Sequence, residues 1–243
     1  MNRPFTTLFL LQSLDGKIST GDVDELDVDK DFLRITGLKD GLSQYYELEK
    51  RTDLVSFNSG RVLAKIGVNE QPLEEVEKTP VSFVVVDDKP HLNKNGCEYF
   101  AKKSKTFYLV TDNKYHPAFA LKQQYDNIEI LYYKTGIDFP DVFRRLKEEY
   151  DIENMTIQTG GTLNSILLRD KLIDKVSIVI APCLIGGKNT STSIDGESLH
   201  NETDLLKIKA LRVTKCETLE NSYLHIEGNI INDTIIENTN PSS

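Results

Sequence analysis

Three short segments set polar and small residues at the ends of apolar runs, where they suit anion or nucleotide chemistry. In the first, Gln158-Thr159-Gly160-Gly161-Thr162-Leu163-Asn164 lies between the run Met155-Thr156-Ile157 and a helical pattern over 163–172. A strand, a glycine pair and a helix N-terminus aim unpaired N–H groups and the positive end of a helix dipole at one point, which favours phosphate. A tight turn that needs glycine for close packing is the alternative. In the second segment an apolar strand ends in Gln12-Ser13-Leu14-Asp15-Gly16-Lys17-Ile18. Ligands of open α/β sheets bind beyond the carboxyl ends of strands, so Asp15 and Lys17 stand where a ligand has room. A solvated Asp-Gly turn accounts for the same residues. In the third, Asp53-Leu54-Val55-Ser56-Phe57-Asn58-Ser59-Gly60-Arg61-Val62-Leu63, a short strand meets a small-residue turn and Arg61 opens a predicted helix. A planar, permanently charged guanidinium there suits a phosphate. A surface Arg beside a turn is the other reading.

The elements that must position these segments alternate. Strand-like runs cover 5–11, 54–57, 81–87, 106–111, 128–132, 155–158 and 175–181, with helix-like runs over 42–52, 61–66, 96–103, 117–124, 139–150 and 162–170. The unbroken run Phe83-Val84-Val85-Val86 predicts a strand buried on both faces. Alternation of this kind predicts an α/β fold, a doubly wound, mainly parallel sheet with helices on both faces. Beyond Gly187 the segments 208–216 and 222–231 alternate apolar and polar residues and predict an antiparallel C-terminal edge. No repeat, hinge linker or second core interrupts 1–231, which reads as a single domain, and 232–243 reads as a polar, frayed tail.

Composition sets outer limits. The 243 residues suffice for one large α/β domain, and 39% hydrophobic with 28% charged residues is ordinary for a soluble globular protein. No apolar run approaches the roughly 20 residues of a membrane span, and no signal peptide is apparent, so a cytoplasmic location is expected. A net charge of -9 argues against a general nucleic-acid surface. An acidic protein that binds an anionic cofactor must concentrate positive charge locally, and Arg61 and Lys17 are the candidates. Cys97, Cys183 and Cys216 are widely spaced and odd in number, which predicts buried thiols in a reducing compartment. With His91, His116, His200 and His225 also scattered, no metal site is expected.

Ser13-Leu14-Asp15-Gly16-Lys17, Asn58-Ser59-Gly60-Arg61-Val62, Gly160-Gly161-Thr162-Leu163-Asn164 and Ala181-Pro182-Cys183-Leu184-Ile185-Gly186-Gly187 occur in this order. Together they resemble the reductase domain of riboflavin biosynthesis, in the dihydrofolate-reductase-like superfamily, over about 3–228. The resemblance implies an NADPH-dependent reductase that converts the ribosyl group of 5-amino-6-(5-phosphoribosylamino)uracil, or a related pyrimidine, to a ribityl chain by hydride transfer. It implies that Gly160, Gly161, Thr162, Leu163 and Asn164 hold the pyrophosphate. Asn58, Ser59, Gly60 and Arg61 would hold the ribose and phosphate end, with Arg61 favouring NADPH over NADH. Ser13, Lys17 and Gln158 would face the substrate, and Asp15 would orient a hydroxyl or relay a proton. No His-x-Glu with a following Pro-Cys-x-x-Cys is present, so the zinc deaminase module of bifunctional relatives is absent from the sequence and reduction alone is expected.

Two positions depart from the pattern. Gln158 stands where a Glu is common, and Lys65 where an acid is usual. The acidic stretch Asp22, Asp24, Glu25, Asp27, Asp29 and Asp31 lacks the glycine and terminal Glu of an EF-hand and reads as a solvated loop, or as a loop near the substrate. Two other readings stay open, a non-catalytic NADPH-binding protein and a dihydrofolate or pterin reductase. The second needs a carboxylate on an early helix, for which Glu47 and Glu49 are the candidates. Relatives of this domain are typically homodimers, and an apolar edge built from 176–181 and the C-terminal runs predicts a homodimer through 208–231.

Overall fold

The computed structural model describes residues 2–237. Its strands are β1 (Phe5–Ser13), β2 (Val55–Ser59), β3 (Ser82–Val86), β4 (Phe107–Thr111), β5 (Ile128–Tyr132), β6 (Asn154–Gln158), β7 (Lys175–Ala181), β8 (Ala210–Thr218) and β9 (Leu224–Ile231). They form one sheet in the order β5-β4-β3-β2-β6-β1-β7-β9-β8. From β5 to β7 every pairing is parallel; β9 runs antiparallel to β7, and β8 antiparallel to β9. The expected mainly parallel sheet with an antiparallel C-terminal edge is therefore the observed architecture.

Period-two alternation distributes the core over both faces. Leu8 and Leu10 of β1 pack with Phe57, Val84, Phe143, Ile157 and Leu167 on one side. Phe9 and Leu11 point the other way, onto Phe32, Leu42, Tyr45, Val179 and Tyr223. A third cluster seats Val85 and Leu109 against Cys97, Phe100 and Leu121. The covering helices are α1 (Val28–Asp31), α2 (Ser43–Glu49), α3 (Gly60–Lys65), α4 (Lys94–Lys103), α5 (Ala118–Leu121), α6 (Phe139–Glu148) and α7 (Gly161–Arg169). Side-chain caps start several of them: Ser59 accepts from the Val62 amide, Asn93 from Gly96 and Asp138 from Asp141.

The chain leaves β1, builds outward from β2 to β5, then returns to place β6 between β2 and β1. The carboxyl ends of β2 and β6 thus lie side by side at the reversal of strand order, where such sheets open a crevice.

Several expectations need correction. The helices expected over 42–52 and 117–124 are shorter, as α2 and α5, and α1 was not expected. The segment 176–181 is not an edge, because β7 is covered on one side by β1 and on the other by β9; the free edge belongs to β8. Only Cys97 of the three thiols is buried, and Cys216 is exposed on β8. The first part of the expected frayed tail is tied down, with Asn232 donating to the Ile173 carbonyl (3.0 Å) and Lys171 paired with Asp233 (2.7 Å). Residues 238–243 lie outside the described region. Among the described residues no helix is long and apolar enough to cross a membrane.

Candidate active site

A cleft of about 1100 Å³ opens at the carboxyl ends of β2 and β6. Its lining includes Asn58, Ser59, Arg61, Gln158, Gly160, Gly161, Thr162 and Leu163 from the predicted segments, and Asp27, Asp29, Tyr45, Glu49 and Lys65 from the α1–α3 wall. Gly160 is the N-cap of α7 and brings no side-chain hydrogen bond to it. The amides of Gly161, Thr162 and Leu163 have no hydrogen-bond partner among the described residues, while that of Asn164 returns to the Gly160 carbonyl (3.0 Å). Three free donors at the positive end of α7 therefore face the cleft, an arrangement suited to pyrophosphate.

The two glycines of this loop do different work. A Cβ on Gly160 would meet only Val62 Cγ2, at 3.7 Å, so that face is open to a ligand. A Cβ on Gly161 would lie 2.1 Å from the Thr192 carbonyl and 2.5 Å from the Asp195 carboxylate, and the Gly161 carbonyl accepts the Asp195 amide (3.0 Å). Gly161 is required by the loop packed on it, which replaces the expected close approach of a cofactor as the reason for glycine there.

Asn164 and Gly60 also take structural places and do not line the cleft. Fully buried Asn164 accepts from the Thr159 hydroxyl and donates to the carbonyls of Thr159 (3.2 Å) and Ser193 (2.8 Å). Gly60 makes room for Asp87, whose carboxylate would lie 2.3 Å from an added Cβ. Asp87 joins His91 Nδ1 (2.9 Å) and His116 Nε2 (3.0 Å). Burial pushes its carboxyl up, but His116, the Leu92 amide and His91 outweigh that and hold it below the usual carboxylate range.

The β1 turn differs most from expectation. Ser13, Asp15 and Lys17 do not line the cleft. Asp15 accepts from Ser13 Oγ (2.5 Å) and from the amides of Ile185 (3.1 Å) and Gly186 (2.6 Å). The Ser13 hydroxyl, with those amides, outweighs the opposing effect of desolvation and holds the carboxyl at about 2. A group that releases its proton so readily is a poor relay near neutrality. The Lys17 ammonium donates to the carbonyls of Gly187 (2.8 Å) and Thr190 (2.9 Å), so its charge is directed at the chain's own loop.

Residues 4–224 match the RibD C-terminal domain family. The chain belongs to that family. It is 24% identical over 225 residues to a 2,5-diamino-6-ribosylamino-4(3H)-pyrimidinone 5′-phosphate reductase of Methanothermobacter thermautotrophicus, covering 86% of this chain and 92% of that one. It is 26% identical over 217 residues to the protein of the same name from Archaeoglobus fulgidus, covering 86% and 94%. Among solved structures, Acinetobacter baumannii RibD superposes with a TM-score of 0.67 at 14% identity, over 95% of this chain. This chain spans 59% of that RibD chain. The Saccharomyces cerevisiae riboflavin biosynthesis reductase Rib7 superposes at 0.58 with 16% identity, covering 95% and 91%.

This RibD-type domain carries on its α1–α2 wall residues that the sequence offered only as alternatives, an acidic loop near the substrate and a carboxylate on an early helix. Asp27 is the N-cap of α1 and accepts from the Asp29 amide (3.0 Å). It also pairs with Lys65 (3.0 Å), both side chains being largely buried, so the departure in charge at Lys65 is answered by Asp27. Asp29 lines the cleft and accepts from the Tyr46 hydroxyl (3.0 Å). Burial, reinforced by the charge of Asp27, raises its carboxyl to about 6. The stretch expected to be solvated is exposed at Asp22, Asp24 and Glu25 but turns inward from Asp27. The two acids expected as alternatives on the early helix also separate. Glu47 points outward to Lys50 (2.6 Å), while Glu49 lines the cleft. Glu49 lies one helical turn after Tyr45, an aromatic that stacks on Phe9 with ring centroids 5.0 Å apart.

Proposed function

We propose that this chain is an NADPH-dependent reductase of riboflavin biosynthesis that reduces the ribosyl group of a 6-(5-phosphoribosylamino)pyrimidine to a ribityl chain. The observation that carries this reading is the shared cleft, in which the uncapped α7 N-terminus stands beside the polar wall of Gln158, Glu49 and Asp29. The pyrimidinone reductase names of its relatives agree with it. The residues fit a dinucleotide. The free amides of Gly161 to Leu163 would hold its pyrophosphate, and Asn58, Ser59 and Arg61 line the same cleft from the β2 end. Arg61 is exposed and, among the described residues, paired only with exposed Asp24 (3.3 Å), a weak ion pair that a phosphate can displace. When bound, the reduced nicotinamide supplies a hydride.

Reduction of a ribosylamine proceeds through ring opening to a C1′=N imine; a hydride is then added at C1′ and a proton at nitrogen, giving the ribityl amine. Asp29 is the proton holder. Its Oδ1 accepts from Tyr46, which leaves Oδ2 to carry the proton, and its raised affinity keeps a protonated fraction near neutral pH. Asp15 braces the 185–186 loop that closes over the β1 end.

Residues 1–231 would work as one reductase domain and pair through β8. Val213 and Leu211 of that free edge, and Ile208 just before it, are 55%, 40% and 52% exposed, an apolar arrangement that pairing with a second copy would cover. Light scattering should report a dimer, and a monomer at micromolar concentration would remove the assembly. The activity is tested by following NADPH oxidation with the phosphorylated ribosylaminopyrimidines, dihydrofolate and simple carbonyl compounds. Turnover of the ribosylaminopyrimidines alone is expected. Arg61→Ala should cost about tenfold in NADPH affinity and leave NADH binding unchanged. Equal losses for both cofactors would remove Arg61 from the phosphate site.

A further inference from the structure

A one-way chain of hydrogen bonds crosses the cleft wall. Asn58 Nδ2 donates to Ser56 Oγ (2.9 Å), the Ser56 hydroxyl donates to Gln158 Oε1 (2.9 Å), and Gln158 Nε2 donates to Glu49 Oε1 (2.6 Å). Its direction follows from its end. An ionised carboxylate only accepts, so Gln158 must turn its NH₂ to Glu49 and its carbonyl to Ser56. Each donor polarises the next, and Gln158 is thereby fixed in one orientation. Glu49 is half-buried in the cleft, has no basic partner among the described residues, and its Oε2 receives no donor from them. The stacking of Tyr45 on Phe9 anchors the helix face that carries it. The result is a rigidly held carboxylate with spare acceptor capacity facing the ligand space.

The inference rests on the reading above, in which the substrate is a ribosylaminopyrimidine. We propose that Glu49 reads the pyrimidine edge and selects a 2-amino-pyrimidin-4-one over the corresponding uracil. The 2-amino ring presents the N3–H and an exocyclic N–H side by side, two donors matched to two carboxylate oxygens, in the bidentate pattern that makes such contacts strong and directional. Oε1 retains a lone pair beyond the one given to Gln158. The uracil presents the same N3–H beside a carbonyl oxygen, so one carboxylate oxygen keeps its donor while the other loses it and meets a lone pair. Sites built to hydrogen-bond a group reject the analogue lacking it by up to about 10⁴–10⁵, and half-burial of Glu49 reduces this to about 10². The hydrolytic removal of the 2-amino group must then follow this reduction.

The test is calorimetric titration of both 5′-phosphorylated ribosylaminopyrimidines, 2-amino and 2-oxo, onto the NADP⁺-loaded protein, with NADPH oxidation measured in parallel. The wild-type protein should bind the 2-amino compound about 100-fold more tightly. Glu49→Gln, whose amide offers the carbonyl a donor, should bring the two within about fivefold while keeping NADP⁺ affinity and thermal stability. Should that variant not fold, Glu49→Asp retracts the carboxylate by one methylene and should raise KM for the 2-amino compound with little change in kcat. Equal wild-type affinities, or a preference that survives in the variant, overturn the assignment of Glu49. A preference in binding without NADPH oxidation keeps that assignment and removes the reductase reading. Oxidation with equal affinities keeps the reductase and removes the assignment, and failure to bind either compound removes both.

Discussion

The β1 turn and the α1–α2 wall are both rich in polar side chains, yet they differ in what those groups still have to offer. In the turn, Asp15 takes three donors from its own chain and Lys17 gives to two loop carbonyls. In the wall, Asp29 accepts one side-chain hydrogen bond, from Tyr46, and Glu49 accepts one, from Gln158. The first set is consumed in bracing the chain. The second keeps capacity facing the cleft, at the cost of burying carboxylates that are poorly compensated. Spare hydrogen-bonding capacity, more than residue type, separates a site from its scaffold here.

The largest expected effect tests this contrast on its two aspartates. Asp29→Asn removes the proton held in the cleft and should lower kcat about 10²–10⁴-fold, while Asp15→Asn should change kcat less than tenfold and lower stability by about 1 kcal/mol. Stability should move in the opposite direction at Asp29. Its folded-state value of about 6 lies above its ordinary 3.8, so ionisation in the fold is penalised. The penalty is absent below about pH 4, grows as pH rises to about 6, and is then complete at about 2–3 kcal/mol. Asp29→Asn should therefore melt higher than wild type at pH 8 and equally at pH 4. In the wild type, kcat should fall as pH rises through about 6, because the protonated carboxyl is the active form. A kcat flat to pH 8, or equal losses in the two variants, would break the contrast.

The same contrast recurs between adjacent glycines. Gly161→Ala forces a Cβ onto a backbone carbonyl and should destabilise the fold by about 1–3 kcal/mol, with cofactor affinity in the surviving protein little changed. Gly160→Val places its branches in open ligand space, so the fold should hold and NADPH affinity fall about tenfold. Paired melting and cofactor titration would decide it, and the reverse assignment of effects would show that Gly161 is the one facing the ligand.

The legible part of this molecule is what local pattern encodes. Val84 and Val86 against Val85 announced a strand buried on both faces, and the alternation after Gly187 announced the antiparallel edge. The strand-loop-helix segments at Asn58 and Gly160 announced one rim of the cleft. What stayed hidden is long-range. Nothing near Asp15 in sequence reveals that the amides of Ile185 and Gly186 occupy it, 170 and 171 residues away. Nothing near Gln158 reveals Glu49, 109 residues away. Asp29 read as one of six interchangeable acids until the cap at Asp27 and the packing of Val28 and Phe32 turned it inward.

The smallest effect bears on Lys17, because a charged group beside a binding cleft is the natural suspect for holding an anionic substrate. Its ammonium ties the β1 turn to the loop at Gly187 and Thr190, and a backbone bridge joins Lys17 to Thr192, next to the Asp195 that rests on Gly161. Lys17→Met keeps the aliphatic stem and deletes two charge-assisted hydrogen bonds that are partly exposed. The expected loss is about 1 kcal/mol of stability, with KM for the phosphorylated substrate within about twofold of wild type. Dependence of that KM on salt should be the same in both proteins, since a lysine engaged with its own chain has no substrate charge to screen. A KM raised tenfold, or a flattened salt dependence, would return Lys17 to the substrate and place the β1 turn with the wall as part of the site.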